Sequence, residues 1–510
     1  MSNYPSSIRQ LLEIHAERQP DAPAILAPGT EPLSYARLLE QVEKTVGALA
    51  AMGLERNHPV ALVLPNGPEQ AVAFVAIASG MSCAPLNPAY RAEEFDFYLG
   101  DLGARALIVR RGIESAAVQA ARQRGIPIVE LDPCAGQPAG VFSLAGPASH
   151  PSAPPTSPQP EDTAMLLHTS GTTSRPKLVP LTQANVCISA VNIARSLLLT
   201  PEDRCLNVMP LFHIHGLLGA VLSSLAAGAG VVCTPGFDAI RFFRWLDEFK
   251  PTWYTAVPTM HQAILARAER NREIVSAARL RFVRSCSSPL LPQVMVETER
   301  VFRAPVIESY GMTEATHQMA SSPLPPRERK PGSVGLAAGP EIAIMDQAGR
   351  LLPPLETGEI VIRGPSLTPG YLSNPQANAA AFTGGWFHTG DLGRLDEEGY
   401  LYITGRLKEI INRGGEKISP REVEEALLDC PGVREALVFA MPHRSLGQEV
   451  GAAIVLRDGS ATSEREIRDF VARRLADFKV PRTVVFLPEL PKGPTGKPQR
   501  IGLAQKLGLG

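Results

Sequence analysis

The stretch LLHTSGTTSRPKLVP, residues 166–180, decides how the rest of the chain is read. It follows from an apolar run, residues 164–167, with the character of a buried strand. Small or hydroxylated residues come next: Thr169, Ser170, Gly171, Thr172, Thr173 and Ser174. Arg175, Pro176 and Lys177 follow. In such a loop backbone N–H groups approach an anion closely, hydroxyls add hydrogen bonds, and two cations stand beside them. The expected ligand is a polyphosphate. An ordinary Ser/Thr/Gly linker is the alternative at this point.

The flanking sequence favours the first reading. Upstream, helical spacing at 7–18, 34–52, 69–80 and 92–102 alternates with short apolar strands at 21–26, 59–64 and 106–109. That rhythm predicts a layered α/β domain with mostly parallel strands. A Pro/Ser-rich connection, PSAPPTSPQPED at 151–162, leads into the loop's strand, which delivers it where open α/β sheets bind ligands. Downstream, a helix at 185–198 precedes His213 and His215, placed just before a helix N-terminus at Gly216. Strands at 255–258, 281–284 and 306–308 end in small or polar residues: Ser285, Ser287, Ser288 and Pro289, then Ser309 to Glu314. Parallel pairing would gather these ends along one sheet edge. After Gly332 strands and turns dominate, at 341–346, 358–363 and 401–404, as in a smaller β-rich subdomain. From Pro420 a compact α+β module begins, with a Gly/Pro loop, PKGPTGKP at 491–498, carrying two lysines.

At 510 residues the chain can bury several cores. A net charge of -1 favours neither nucleic acid nor an acidic membrane. The seven cysteines include no CxxC pair and read as reduced thiols near the core rather than metal ligands. The N-terminus lacks a signal-peptide pattern, no apolar run could span a bilayer, and the last residues form no anchor or peroxisomal tripeptide. A cytoplasmic enzyme is expected. Oligomeric state, including a homo-oligomer, is left open.

Together these residues resemble the acyl-adenylate-forming enzymes: acyl-CoA synthetases, nonribosomal adenylation domains and luciferases. The segment 169–177 looks like that family's phosphate loop, and Tyr310, Gly311, Met312, Thr313 and Glu314 like its nucleotide motif. Thr389-Gly-Asp391 matches its ribose-contacting aspartate, 405–418 its hinge region, and Gly493 to Lys497 the loop of its mobile lysine. Ser174 and Leu178 depart from the family, which usually has Gly at the first and often at the second. A stiffer turn is the expected consequence. A narrower resemblance, through HTSGTTSRPK at 168–177, MTEATHQM at 312–319, Leu324-Pro-Pro326 and Arg329 to Gly332, is to the oxalate–CoA ligase branch known from plants and yeast.

The resemblance implies a fold with a large N-terminal α/β domain, residues 1–405, and a small mobile α+β domain, 406–510, hinged at Lys408. It implies ATP, Mg2+ and coenzyme A as cofactors, and a small carboxylic acid as substrate. By resemblance Thr169 to Thr173 and Lys177 hold the leaving phosphates, Thr313 donates to the α-phosphate and Glu314 orients Mg2+. Ser287, Ser288, Pro289, Glu308, Tyr310 and Gly311 surround the nucleotide. Asp391 accepts from the ribose, helped by Arg406. Lys497 bridges the α-phosphate and the attacking carboxylate, and Gly414, Gly415 and Glu416 serve the CoA step. His213, Ser287, His317 and Gln318 are the implied acid contacts, with His215 a further candidate. A small dianion needs polar or cationic walls, which points to oxalate; a fatty chain needs an apolar tunnel. A ligase for medium-chain or aromatic acids shares every ATP motif. A luciferase-like oxygenase and a nucleotide sensor are the alternatives of other classes. A GxxxxGK[ST] loop is absent, which excludes a P-loop phosphotransferase.

Overall fold

The computed structural model describes residues 4–147, 157–169, 176–492 and 498–509. Ser170, Gly171, Thr172, Thr173, Ser174 and Lys497 lie outside the described residues, as does the first half of the Pro/Ser-rich connection, 151–156. The described chain forms two compact units: residues 4–147, 157–169, 176–341 and 363–380 in one, and 342–362, 381–492 and 498–509 in the other.

The first unit is built on two sheets. Seven strands pair in the spatial order Phe142–Ala145, Ile128–Pro133, Ala106–Arg110, Pro59–Val63, Ser82–Pro85, Thr163–His168 and Leu178–Thr182. The central strands are apolar throughout because helices cover both faces; Val60, Ala61 and Leu62 are fully buried. The predicted helices form where capping chemistry starts them. Ser34 caps Tyr35–Ala51 through the Arg37 N–H, and Gly103, at φ 58°, ends Ala92–Leu102.

A nine-stranded sheet carries the second half of this unit. Within it Gly230–Cys233, Arg204–Asn207, Trp253–Ala256, Phe282–Cys286 and Val306–Met312 are parallel neighbours in that order. Their C-terminal ends therefore share one edge, as the sequence predicts. The helix Arg241–Phe249 shows what holds a layer in place. Phe242, Phe243, Trp245, Leu246 and Phe249 line its inner face and are all buried, each contributing roughly 1.5–3 kcal/mol of apolar burial.

The phosphate loop does not lead into a helix. Leu178–Thr182 is a strand, antiparallel to Thr163–His168, and the loop is the connection of that hairpin. Leu178 pairs with His168 and is buried in the core, so it belongs to the packing rather than to the turn. The nucleotide motif also begins inside a strand: Val306–Met312 runs through Tyr310 and Gly311 and pairs antiparallel with His317–Ser321. His215 lies within the helical segment 214–226, whose first residue is preceded by His213 as N-cap.

In the second unit Trp386–Leu395 pairs antiparallel with Gly358–Arg363 and with Leu401–Arg406. Asp391 is therefore a strand residue, opposite Arg406. A further five-stranded sheet, with helices Pro420–Leu428 and Glu464–Ala472, completes the unit. There Gly414 and Gly415, at φ 59° and 98°, form the turn of a hairpin between Ile411–Arg413 and Glu416–Ile418. Two successive positive φ values of this kind favour glycine.

Candidate active site

The phosphate hairpin is closed at its base by two hydrogen bonds. Thr169 N–H donates to the Lys177 carbonyl (2.9 Å), and Lys177 N–H donates to Thr169 Oγ1 (3.3 Å). Lys177 Nζ stands 4.3 Å from the centre of the Tyr371 ring, and the Tyr371 hydroxyl donates to Glu314 Oε1 at 2.8 Å. Burial, reinforced by the Glu314 carboxylate, pushes the Tyr371 hydroxyl well above its ordinary value, so it stays a donor. Glu314 follows the strand end on a single turn, Thr313–Ala315, and is buried. A buried carboxylate at such a turn is a fitting Mg2+ ligand, since Mg2+ takes hard oxygen donors and usually completes its shell with substrate phosphates and water. Among the described residues no group of three or more His, Cys, Asp or Glu could hold a metal by itself.

The remaining nucleotide candidates surround this turn. Ser287, at φ 74°, opens the loop containing Ser288 and Pro289. Glu308 anchors that loop: its Oε1 accepts from the Leu290 N–H at 3.2 Å. Gly311 has a packing reason of its own, because a Cβ there would stand 1.7 Å from the His317 carbonyl oxygen.

The acid candidates converge on a buried cation that the sequence reading did not single out. Arg284, fully buried on Phe282–Cys286, donates to His317 Nε2 from both terminal nitrogens (3.3 and 3.2 Å) and to Gln318 Oε1 (3.1 Å). Among the described residues no carboxylate pairs with it, and its Nε has no hydrogen-bond partner. His215 bridges Thr255 Oγ1 (2.6 Å) and Ser287 Oγ (3.0 Å), and its ring stacks 5.4 Å from that of His317. Gly219 leaves room for this cluster, since a Cβ there would stand 2.5 Å from His317 Nε2 and 2.7 Å from Arg284 Nη1. Gly219 sits on a π-helical turn, Leu217–Leu222, a distortion frequent at functional sites. His317 itself holds φ at 91°, a strained value of the kind that clusters at such sites. Its Nε2 accepts from Arg284, so in the neutral ring the proton is on Nδ1. His213, by contrast, is the N-cap residue of the helix, with its ring 4.8 Å from that of Phe212.

Burial, followed by the Arg284 charge, holds His215 and His317 well below the usual histidine range, and burial pushes His261 down to about 4. Each is neutral when folded and takes a proton more readily when unfolded. Their stability contribution is therefore complete above about pH 6.5 and is lost as pH falls below it, by up to about 1.4 kcal/mol per pH unit for each ring. Thermal melts should show a melting temperature that declines steadily from pH 7 toward pH 5; a flat profile over that range would contradict these assignments.

In the second unit Asp391 is buried and pairs with Arg406, Nε to Oδ1 at 2.8 Å. Lys408 is exposed on the turn Leu407–Glu409. The hairpin of Gly414, Gly415 and Glu416 is set by Gly414 N–H donating to the Leu446 carbonyl and Gly415 N–H donating to Asn412 Oδ1. Arg284 and Tyr371 are the residues sequence reasoning missed. Arg284 had a legible signal, a cation inside an apolar strand; Tyr371 had none short of its contacts.

Residues 12–372 match the AMP-binding enzyme family, and residues 422–497 match the AMP-binding enzyme C-terminal domain. The chain belongs to the AMP-binding enzyme family. It is 44% identical over 501 residues to the oxalate–CoA ligase of Arabidopsis thaliana, covering 97% of each chain. It is 36% identical over 504 residues to the sulfoacetate–CoA ligase of Cupriavidus necator, covering 98% of this chain and 97% of that one. Among solved structures, O-succinylbenzoate coenzyme A synthetase from Bacillus subtilis in complex with ATP and magnesium ion matches with a TM-score of 0.82 at 30% identity, over 97% of this chain and 98% of that one.

Proposed function

We propose that this protein is an ATP-dependent, AMP-forming carboxylate–CoA ligase whose acid is a small dicarboxylate, oxalate. The observation that carries the choice of acid is the buried Arg284, ringed by neutral acceptors and lacking a described carboxylate partner. A buried charge without a counter-charge is costly, and an anionic substrate would supply one. The enzymes of Arabidopsis and Cupriavidus are named for oxalate and sulfoacetate, both small acids with two anionic groups, which supports the same reading.

The carboxylate oxygen attacks the α-phosphorus of ATP and pyrophosphate leaves; the CoA thiolate then attacks the acyl carbon and AMP leaves. Mg2+, when bound, would neutralise phosphate charge in the first step. Glu314 orients the cation, Thr313 donates to the α-phosphate, and Lys177 with the hydroxyls and amides of 169–173 receives the leaving pyrophosphate. Ser287, Ser288, Pro289, Tyr310 and Gly311 line the nucleotide, with Glu308 fixing their loop. Asp391 accepts from the ribose hydroxyls, and Arg406, paired with it at 2.8 Å, holds its carboxylate in place. Lys497 joins the α-phosphate to the attacking carboxylate, a role suited to a compact, flexible cation. His317 Nδ1–H and Ser287 hold the second carboxylate against Arg284, Gln318 positions that guanidinium through its Oε1, and His213 is a further acid contact. Lys408 is the pivot for residues 406–510, which bring Gly414, Gly415 and Glu416 into the CoA step.

A reducing compartment such as the cytoplasm suits a chain whose seven cysteines include no CxxC pair and are, all but Cys134, buried. Among the described residues no helix is long and apolar enough to cross a membrane. The test is a pyrophosphate-release assay over a panel of acids with ATP, Mg2+ and CoA. Oxalate should give the highest kcat/KM; preference for hexanoate or benzoate would overturn the choice of acid while leaving the ligase chemistry in place.

A further inference from the structure

The segment 364–372, GPSLTPGYL, belongs to none of the motifs above, yet it is bonded to both phosphate-handling elements. Thr368 N–H donates to the Glu314 carbonyl (2.8 Å), and Thr316 Oγ1 donates to the Ser366 carbonyl (2.6 Å). On the hairpin side, Thr368 Oγ1 donates to the Pro180 carbonyl (2.7 Å) and Leu372 N–H donates to the Leu178 carbonyl (2.9 Å). Asn185 Nδ2 donates to the carbonyls of Pro365 and Leu367, at 2.8 and 2.9 Å. The segment is thus a strap that ties the exit strand of the phosphate hairpin to the nucleotide turn.

Tyr371 sits near the end of the strap, with its backbone clamped from both sides by one residue. Asn378 Oδ1 accepts from the Tyr371 N–H (2.7 Å), and Asn378 Nδ2 donates to the Tyr371 carbonyl (2.9 Å). Gly370, at φ 139°, permits this close approach, since a Cβ there would stand 3.0 Å from Asn378 Oδ1. The backbone that carries the ring is therefore held in place. Its face meets the Lys177 ammonium and its hydroxyl meets the Glu314 carboxylate. A cation over an aromatic face and a charge-assisted hydrogen bond both restrict the side chains they join.

We propose that Tyr371 is a positioning residue for the phosphate chemistry: its face holds Lys177 and its hydroxyl orients Glu314, so one side chain sets the distance between the cation and the carboxylate that handle ATP and its metal. This inference rests on the ligase reading above. It predicts that losing the hydroxyl and losing the ring have different consequences. Tyr371→Phe keeps the face and removes the hydrogen bond to Glu314; Tyr371→Leu removes both contacts.

The experiment uses the full-length protein. Binding of ATP is measured by calorimetry over a range of Mg2+ concentrations, alongside acid-dependent ATP–pyrophosphate exchange. For Tyr371→Phe the Mg2+ concentration at half-saturation should rise about tenfold and the exchange kcat should fall about tenfold, with ATP affinity in the absence of Mg2+ unchanged. Tyr371→Leu should in addition weaken ATP binding without Mg2+ by about fivefold or more. A purely structural role would lower the melting temperature without moving the Mg2+ dependence. A Tyr371→Phe protein with the parent's Mg2+ half-saturation and kcat overturns the inference, whatever becomes of Tyr371→Leu. A parent that binds no Mg2+–ATP overturns the ligase reading itself.

Discussion

Lys497→Ala is expected to lower acyl-AMP formation by about a thousandfold or more, the scale seen when an electrostatic stabiliser of a developing charge is removed. Thioester formation from supplied acyl-AMP should stay within a few-fold of the parent. The two half-reactions make opposite demands. In the first, negative charge builds between an attacking carboxylate and a phosphorus already surrounded by anionic oxygens, and a cation between them lowers the barrier. In the second, a neutral acyl carbon meets a thiolate, and the same lysine has no charge to bridge. On the proposed reading, a hinged small domain would resolve the conflict by withdrawing Lys497 after the first step and presenting the 414–416 hairpin in the second. Rapid-quench measurement of each half-reaction checks this. Equal loss in both would contradict the use of two conformations.

Arg284→Gln is expected to lower kcat/KM for oxalate by about a hundredfold or more, because truncating one partner of a buried charge pair leaves the other charge uncompensated. The direction of the stability change separates this from general damage. Without substrate the guanidinium is fully buried beside neutral acceptors, so replacing it removes an uncompensated charge. The melting temperature of the free protein should hold or rise. A monocarboxylate of similar size should be affected far less than oxalate, since it offers no second anion to the site. Steady-state kinetics with oxalate and acetate, together with thermal melts, test both halves. An oxalate kcat/KM within about twofold of the parent would remove Arg284 from acid recognition.

What was legible in the sequence depended on whether local chemistry or tertiary packing decided the outcome. Helices with side-chain caps, such as Tyr35–Ala51 behind Ser34, form where the sequence places them. The strand Leu178–Thr182 did not announce itself, because Pro180 argues against a strand; it is tolerated there since this is an edge strand of its sheet. Trp386–Leu395 was hidden by Gly390 and Gly393. Gly393 is in the strand because a Cβ would meet the Tyr402 carbonyl oxygen at 2.6 Å, a cross-strand approach that no local pattern encodes. The candidate site follows the same division. Thr313, Glu314, His317 and Gln318 could be read from one contiguous motif. Arg284 and Tyr371 reach that motif through contacts with partners 33 and 57 residues away in sequence, and only the fold brings them there.

Oxalate labelled with heavy oxygen in both carboxylates, supplied with ATP, Mg2+ and CoA, tests the proposed chemistry at the bond that defines it. If the carboxylate attacks the α-phosphorus and the thiolate later expels AMP, one labelled oxygen must pass to the AMP phosphate. Mass spectrometry of the products should find that single label in AMP, none in pyrophosphate, and an oxalyl thioester of CoA. Label in pyrophosphate or inorganic phosphate, or unlabelled AMP beside a formed thioester, would contradict an acyl-AMP intermediate.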